Sequence, residues 1–166
     1  IKRDENELFW NKRLDFLKEF IKKYKNKDNK FDCIVGVSGG KDSVRQALWV
    51  RDKLKMNPLL ICLSYPPQQV TDIGAENISN LINLGFDVVI SSLAPKTWKN
   101  LMRISFLKFA NWAKSTELAL FSSVPQAAIK FNIPLIFWGE NVGLQVGDMA
   151  STKKKEYDGN NLRKLN

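Results

Sequence analysis

The apolar residues of this chain follow two alternating patterns. At the start they recur at the three-four spacing of one helix face, with lysine and arginine on the opposite face. These positions are Trp10, Leu14, Leu17, Ile21 and Tyr24. Further along, short continuous apolar runs alternate with stretches at helical spacing, and such runs are typical of strands covered on both faces. The pattern predicts an amphipathic helix over 6–25, a polar linker to residue 30, and then an α/β domain.

Four apolar runs predict the strands, at 33–37, 59–63, 88–90 and 134–138. Three helices are predicted between these strands. The first follows a Gly-rich turn, with helical spacing that begins at Val44. The second is capped by Thr71 or Asp72 and ends at Gly85, and the third covers residues 97–132. Pro125 must kink or divide this last stretch. Alternating strands and helices predict a three-layer α/β sandwich with a mostly parallel sheet and right-handed crossovers. Ligands of such sheets bind beyond the carboxyl ends of the strands, which here are 38–43, 64–71, 91–96 and 139–148.

The chain has 166 residues, enough for one domain of ordinary size. We divide it into an N-terminal helix and linker at 1–30, a ligand-binding domain at 31–150 and a polar C-terminal segment at 151–166. The net charge of +9 suggests nucleic acid until its distribution is considered. Residues 1–30 carry ten basic and six acidic side chains, 31–150 carry eleven and nine, and 151–166 carry five and two. Because the middle is nearly neutral, solvated basic ends explain the charge better than a polyanion site does.

Two absences limit the chemistry. The chain has no His and only two Cys, which excludes a Ser-His-Asp triad, a Cys-His glutaminase site and a His-ligated metal within it. Cys33 and Cys62 lie inside apolar runs and are best explained as buried small hydrophobes. No apolar run approaches the roughly 18 residues of a membrane span, and no signal peptide is recognisable. We therefore expect a cytoplasmic protein with no membrane segment.

Six residues carry the strongest chemical signal, between a predicted strand and a predicted helix. They are Ser38, Gly39, Gly40, Lys41, Asp42 and Ser43. Adjacent glycines let the backbone turn sharply, so that the next amides point outward at a helix N-terminus and form an anion cradle. Lys41 adds a positive charge, and the two serine hydroxyls can donate to phosphate oxygens. Neither a Walker A loop nor a dinucleotide-binding loop fits, since Val35 and Ser38 stand where those patterns need glycine.

The segment instead resembles the PP-loop of the ATP pyrophosphatases, whose Ser-Gly-Gly-x-Asp-Ser signature it matches completely after Val37. The resemblance implies an adenine nucleotide α-hydrolase-like fold and an enzyme that cleaves ATP between its α and β phosphates, transfers AMP to a substrate oxygen and holds pyrophosphate in this loop. Lys41 would act on the charge of the leaving pyrophosphate. Asp42 either helps to hold Mg²⁺ or stabilises the first turn of the helix, and both interpretations stay open.

Longer segments resemble the N-acetyl sugar amidotransferase family of bacterial surface-polysaccharide and nonulosonic-acid biosynthesis. They are Asn-Trp-Ala-Lys-Ser-Thr-Glu at 111–117, Ala-Leu-Phe at 119–121, Ile-Pro-Leu-Ile-Phe-Trp-Gly-Glu-Asn at 133–141 and Tyr-Asp-Gly-Asn-Asn-Leu at 157–162. The family's proteins are longer, so we expect this chain to be a piece of one. The implied reaction places AMP on the oxygen of a sugar N-acetyl group, after which ammonia attacks and leaves an acetamidino group. The implied partners are a glutaminase and a cyclase-like protein that supply the ammonia.

The remaining site residues are assigned by strand ends and by the resemblance. Ser64 should lie near the adenine or ribose, and Gly139, Glu140 and Asn141 near the activated substrate. Glu140 could act on Mg²⁺ or ammonia, with Asp148 as a weaker metal ligand; loop-capping hydrogen bonds are the alternative for Glu140 and Asn141. Trp112 and Lys114 are candidate sugar contacts, although a core position suits Trp112 equally.

Two other functions remain open from sequence alone. The first is a PP-loop enzyme that modifies tRNA, such as a thiolase or a lysidine synthetase, and it is consistent with the basic ends. The second is a module that binds ATP without chemistry. The near-neutral middle argues against RNA, and the complete loop motif argues for catalysis.

Overall fold

A computed structural model describes residues 7–25 and 30–139. Its helices and strands alternate along the chain as the sequence pattern predicts. The elements are α1 (Glu7–Lys22), β1 (Cys33–Gly36), α2 (Lys41–Asp52), β2 (Pro58–Ser64), a 3₁₀ turn (Pro67–Gln69), α3 (Asp72–Asn83), β3 (Val88–Ser92), α4 (Pro95–Phe109), α5 (Lys114–Phe131) and β4 (Ile136–Phe137). Among these residues, no helix is long and apolar enough to cross a membrane.

The four strands form one sheet in the order β3-β2-β1-β4, and every neighbouring pair is parallel. Ile34 pairs with Leu59 on one side and with Ile136 on the other, so β1 lies inside the sheet. β4 is shorter than the predicted run from residue 134. Its pairing with β1 begins where the Ile34 amide donates to the Leu135 carbonyl, at 2.9 Å.

Successive side chains of β1 point to two separate apolar cores. Cys33 and Val35 pack with α1, α2 and α3 on one face of the sheet, while Ile34 packs with α5 on the other. Strand β1 is therefore buried on both sides, which is why its sequence is a continuous apolar run. The result is the predicted three-layer α/β sandwich with a parallel sheet.

Helix α1 packs on the first of these cores only from Leu14 onward. Ile21 is buried, and Leu14, Leu17 and Tyr24 pack beside it. Trp10, which the helical spacing places on the same face, is 55% exposed. The buried face is therefore shorter than the apolar spacing predicts.

The long helical stretch at 97–132 is divided at a position that the sequence did not indicate. Ala110 adopts the left-handed conformation, with φ 51°, and ends α4; its amide donates to the Phe106 carbonyl at 2.8 Å. The Asn111 side chain then accepts from the Ala113 amide at 2.9 Å, just before α5 begins. Pro125 lies inside α5 and does not divide it. The break therefore arises from a local turn and not from the proline.

Candidate active site

The order of the strands creates a crevice at one edge of the sheet. From β1 the chain proceeds outward through β2 to β3, and then returns to pair β4 with the other side of β1. The helix that follows β1 and the helix that precedes β4 therefore pack on opposite faces of the sheet, and the carboxyl ends of β1 and β4 form the kind of switch point at which open parallel sheets bind ligands. Ser38, Gly39 and Gly40 follow β1, and Gly139 follows β4. The topology thus brings the loop after β1 and Gly139, the first residue of the predicted segment 139–148, to the same edge of the sheet.

The backbone of the loop after β1 is held from both sides. The Val37 amide donates to the Ile61 carbonyl of β2 at 2.9 Å, and Val37 itself is buried. Gly39 then has φ +81°, a conformation that L side chains rarely adopt. A Cβ on Gly39 would lie 3.1 Å from the Asn77 Cβ of α3, so the turn fits closely against that helix. Gly39 is the position at which the loop needs glycine for both its conformation and its space.

Gly40 is the N-cap residue of α2 and gives that helix no side-chain cap. The first amides of an α-helix have no partner within the helix, and they carry the positive end of its dipole. A Cβ on Gly40 would meet only the Ser38 Oγ, at 3.5 Å. The entrance to the helix is therefore open on this side, as an anion cradle requires.

The two serines of the motif brace the loop. The Ser43 hydroxyl donates to the Gly40 carbonyl at 2.9 Å and accepts a weaker bond from the Ser38 amide at 3.4 Å. The Ser38 Oγ accepts from the Gly40 amide, also at 3.4 Å. Because the hydroxyl hydrogen of Ser43 is already used, Ser43 shapes the cradle, whereas the Ser38 hydroxyl keeps its hydrogen for a ligand. The sequence-based prediction that both serines donate to phosphate is therefore refined for Ser43.

Lys41 and Asp42 are exposed on the first turn of α2. Neither forms an ion pair with another residue of the part of the chain that the structure describes. Within 7–25 and 30–139 there is also no group of three or more carboxylate or thiol ligands that could hold a metal. Mg²⁺ is usually held by one or two carboxylates together with substrate phosphates, so Asp42 at the edge of the anion cradle suits it. The residues present thus fit a nucleotide phosphate with Mg²⁺.

Gln46 and Gly139 connect α2 with the end of β4. A Cβ on Gly139 would lie 2.9 Å from the Gln46 Oε1, so α2 and the strand end are in direct contact. Gln46 Oε1 is buried and accepts no hydrogen bond from the described residues. Gln46 did not stand out in the sequence because nothing in its local pattern distinguishes it from any other helical polar residue.

The other predicted site residues lie at increasing distance from the loop. Ser64 ends β2, next to β1 in the sheet, and its hydroxyl donates to the Tyr65 carbonyl at 3.0 Å. Trp112 is exposed between α4 and α5. The Lys114 ammonium lies 3.9 Å from the ring centroid of Phe109.

The position of α5 indicates how far Trp112 and Lys114 lie from the crevice. Val124 packs against the end of β1, since a Cβ on Gly36 would lie 3.0 Å from its Cγ2, and Phe121 contacts the Trp138 ring beyond β4. Lys114 precedes Val124 by ten helical positions, or about 15 Å along the axis. Trp112 and Lys114 thus lie toward the same edge of the sheet, but the structure does not bring them into contact with the loop. Glu140, Asn141 and Asp148 lie outside the described residues.

Three polar residues that the sequence did not single out adjoin the loop. Arg45 follows Lys41 by one turn of α2, and Asn77 and Asn80 face them from α3. Together with apolar side chains they line a cleft of about 410 Å³. The four-residue spacing of Lys41 and Arg45 could have identified Arg45, but the position of α3 beside them is a tertiary feature.

Comparison with known proteins gives a fold and no family. The sequence matches no protein-family model and no curated protein. Solved structures are similar: NMN synthetase from Francisella tularensis has a TM-score of 0.58 and 15% identity over 82% of this chain. NH3-dependent NAD synthetase from Campylobacter jejuni, in complex with the nitrate ion, has a TM-score of 0.56 and 20% identity over 84%. Glutamine-dependent NAD+ synthetase from Acinetobacter baumannii, in complex with ADP, has a TM-score of 0.52 and 18% identity over 78%.

These likenesses confirm the predicted fold, the parallel α/β fold of the PP-loop, adenine nucleotide α-hydrolase-like enzymes. The match spans 56% of the NMN synthetase chain, 60% of the ammonia-dependent NAD synthetase and 25% of the glutamine-dependent enzyme. This chain therefore corresponds to only part of each of them.

Proposed function

We propose that the protein is an ATP-dependent, AMP-forming amidotransferase. It would adenylate the amide oxygen of a sugar N-acetyl group and release pyrophosphate, so that ammonia from a partner glutaminase converts the amide into an acetamidino group. The observation that carries the proposal is the complete Ser-Gly-Gly-x-Asp-Ser loop, which leaves the central strand at the switch point and opens onto the uncapped N-terminus of α2. The sugar amidotransferase specificity rests on the resemblance of the 111–117 and 133–141 segments.

The residues of the loop suit the departure of pyrophosphate. When bound with Mg²⁺, ATP supplies an adenylyl group and a pyrophosphate leaving group. The amides at the start of α2 are fixed donors placed where negative charge grows, and such preorganised donors stabilise the transition state more than the ground state. The exposed Lys41 ammonium beside them adds a positive charge at the same place. Asp42 would hold Mg²⁺ directly or through water, and Ser43 keeps the Gly40 carbonyl turned away from the anion by donating to it.

Ammonia is the proposed nucleophile, and the similar structures support it. Two of them are described as an NH3-dependent and a glutamine-dependent NAD synthetase, so enzymes that depend on ammonia and on glutamine have this fold. This chain has no His, so it contains no Cys-His glutaminase of its own. We therefore assign the release of ammonia to a separate glutaminase with a cyclase-like partner.

The acceptor would bind beyond β1 and β4. We assign its activated amide to the segment that begins at Gly139, with Glu140 and Asn141 as its polar contacts, and its sugar to Trp112 and Lys114 farther along the same edge. Ser64, at the end of the neighbouring β2, is assigned to the adenosine. Asp148 remains a second candidate ligand for Mg²⁺.

A tRNA-modifying PP-loop enzyme is the alternative, and the basic ends of the chain are consistent with it. One form of it is disfavoured by the structure. Sulfur transfer needs an accessible thiolate, whereas Cys33 and Cys62 are both buried. Burial, with a smaller contribution from Asp32, raises the pKa of Cys33 to about 12, and burial also raises the pKa of Cys62. The alternative is thus narrowed to chemistry that uses no cysteine of the described residues.

The test is the identity of the products. The protein is incubated with ATP labelled at the α phosphate, MgCl2, ammonium chloride in place of the glutaminase, and either N-acetylglucosamine, its UDP derivative or bulk tRNA. We expect AMP and pyrophosphate to form only with an N-acetyl sugar. ADP and phosphate as products would overturn the proposal, and release of AMP with tRNA alone would establish the alternative.

A pair of lysine variants on the same helix separates a loop effect from a charge effect. Lys41→Ala removes the ammonium at the start of α2, and Lys53→Ala removes an exposed one at its C-cap. We expect AMP formation to fall by about a hundredfold or more with Lys41→Ala and to stay unchanged with Lys53→Ala, as removal of one transition-state donor predicts. Full activity of Lys41→Ala would show that its ammonium does not act on the leaving pyrophosphate, and full activity of Ser43→Ala as well would exclude the loop from the chemistry.

A further inference from the structure

A groove between α2 and α3 begins beside the loop, and apart from Lys41 its polar groups are ones that the proposed reaction does not use. On α2 it is lined by Lys41, Val44, Arg45 and Leu48, and on α3 by Asn77 and Asn80. Its volume is about 410 Å³. One water occupies roughly 30 Å³ in the liquid, so the groove has room for a phosphate group with its hydration.

The two cations of the groove lie one turn apart on the same helix. Lys41 and Arg45 are both exposed, and neither forms an ion pair within 7–25 or 30–139. No carboxylate is among the described residues that line the groove. Like charges four residues apart on a helix surface repel each other unless an anion lies between them. An anion is therefore the ligand that this pair favours.

The opposite wall supplies neutral donors. Asn77 and Asn80 are three residues apart on α3 and so lie on the same face of that helix. Each side-chain amide carries two N–H donors. Val44 and Leu48 of α2 are the apolar residues of the lining. Cationic donors on one wall and amide donors on the other are the arrangement that a tetrahedral oxyanion can accept from several directions.

The groove is continuous with the loop. Gly39 lies against Asn77, with only 3.1 Å between the Asn77 Cβ and a Cβ built on Gly39, so no other residue separates them. Lys41 lines the groove and is also the first residue after the cradle. A phosphate group bound in the groove would therefore lie beside a phosphate group bound in the loop.

We propose that this groove is a second phosphate subsite, formed by Arg45 with Asn77 and Asn80 and sharing Lys41 with the loop. Its ligand is a phosphate group, supplied either by the terminal phosphate of ATP or by a phosphorylated second substrate. The proposal deepens the proposed function and rests only on its ATP-binding part, since it does not depend on which acceptor is amidated.

Two calorimetric titrations at about 150 mM salt distinguish these sources. In the first, α,β-methylene-ATP with MgCl2 is titrated into the protein. In the second, inorganic phosphate is titrated into protein saturated with that analogue. The variants are Arg45→Gln, which removes the charge, and Asn77→Asp, which replaces two donors by a carboxylate of the same shape. Arg103→Gln, an exposed arginine on α4, is the matched control.

We expect Arg45→Gln and Asn77→Asp each to weaken binding by about tenfold in one titration, as loss of a charge-assisted hydrogen bond predicts, and Arg103→Gln to change neither. Weakening in the first titration identifies the terminal phosphate of ATP, and weakening in the second identifies a separate phosphate. The subsite would be overturned if both groove variants keep dissociation constants within about twofold of wild type in both titrations. It would also be overturned if Arg103→Gln weakens binding as much as the groove variants do. If the wild type does not bind the analogue, the proposed function fails. Phosphate binding to the nucleotide-free protein, with and without Arg45→Gln, then decides the groove by itself.

Discussion

Gly39 and Asn77 hold the loop against the second crossover helix. Gly39 is buried with φ +81°, and a Cβ at that position would come 3.1 Å from the Asn77 Cβ and 3.2 Å from its carbonyl carbon. The missing side chain therefore serves two purposes, since it permits the left-handed turn and lets α3 approach. The position of the anion cradle depends on this contact between residues far apart in the sequence.

Replacing Gly39 by alanine should destabilise the protein more than the same change at Gly85. Gly85 has a similar φ of +87° but no atom within 4 Å of the added Cβ. Both variants carry the strain of a left-handed alanine, about 1–2 kcal/mol, and only Gly39→Ala adds the crowding against α3, about 1–3 kcal/mol more. Urea unfolding measures both losses, and equal losses would show that the contact with α3 does not constrain the loop.

Gly40 provides the complementary variant, because its φ is −68° and its added Cβ has only the Ser38 Oγ nearby, at 3.5 Å. Gly40→Ala should leave the free energy of unfolding within about 1 kcal/mol of wild type. A much larger loss would mean that Gly40 is needed for the fold.

The local part of this site was predictable and the tertiary part was not. The strand, the turn and the helix around Ser38–Ser43 follow one another in the sequence, so the apolar run, the glycines and the helical spacing identify them without any knowledge of the fold. The neighbours of the loop come from elsewhere. Asn77 reaches the loop only through the packing of α3, and Gln46 meets Gly139 only through the return of β4. No local pattern encodes that packing.

Two differences between prediction and structure have the same cause. The break before α5 results from a left-handed Ala110 and an Asn111 turn, whereas Pro125, the residue with the strongest local tendency to break a helix, lies inside α5. Trp10 follows the apolar spacing of α1 but extends past the core that Ile21 enters. In both cases the residue type gave a local preference and the tertiary surroundings decided the outcome.

Ser43→Ala should weaken pyrophosphate binding while changing stability little. The variant removes the hydroxyl that donates to the Gly40 carbonyl at 2.9 Å and accepts from the Ser38 amide. We expect a loss of about tenfold in affinity for magnesium pyrophosphate, because the carbonyl is no longer fixed away from the anion, and a change of at most about 1 kcal/mol in unfolding.

Ser79 offers a matched control for this variant. Its hydroxyl donates to the Ala75 carbonyl at 3.1 Å on α3, a bond of the same kind at a distance from the cradle. Ser79→Ala should leave pyrophosphate affinity unchanged, and Ser43→Thr, which keeps a hydroxyl, should recover most of it. Equal affinities of Ser43→Ala and the wild type would show that the hydroxyl does not shape the cradle.

The contact between Gly36 and Val124 joins the end of β1 to α5. A Cβ on Gly36 would lie 3.0 Å from the Val124 Cγ2, so Gly36→Ala should overpack this position and cost about 1–3 kcal/mol of unfolding free energy. Val124→Ala makes room for the added methyl group. The double variant should therefore be more stable than the sum of the two single losses predicts, by about 0.5–3 kcal/mol in a double-mutant cycle. If the losses of the two single variants simply add, the cost of Gly36→Ala does not arise from its contact with Val124.

The pH dependence of stability above pH 9 should report the burial of Cys33. Burial, with Asp32 as a smaller cause, raises the pKa of this thiol from 9.0 to about 12. The unfolded chain therefore releases the thiol proton first as the pH rises, and the folded state holds it. The stabilisation is complete below about pH 9 and is lost progressively between there and pH 12, by up to about 1.4 kcal/mol per pH unit.

The variant Cys33→Ala has no thiol to titrate at this position, so its free energy of unfolding should approach that of the wild type as the pH rises from about 8 to about 11. Val35→Ala, on the same face of β1, creates a cavity without a titrating group, and its deficit should stay constant over the same range. The measurement is urea unfolding of all three proteins in the presence of a reductant. A deficit of Cys33→Ala that does not shrink with pH would show that the thiol is not held neutral in the folded core.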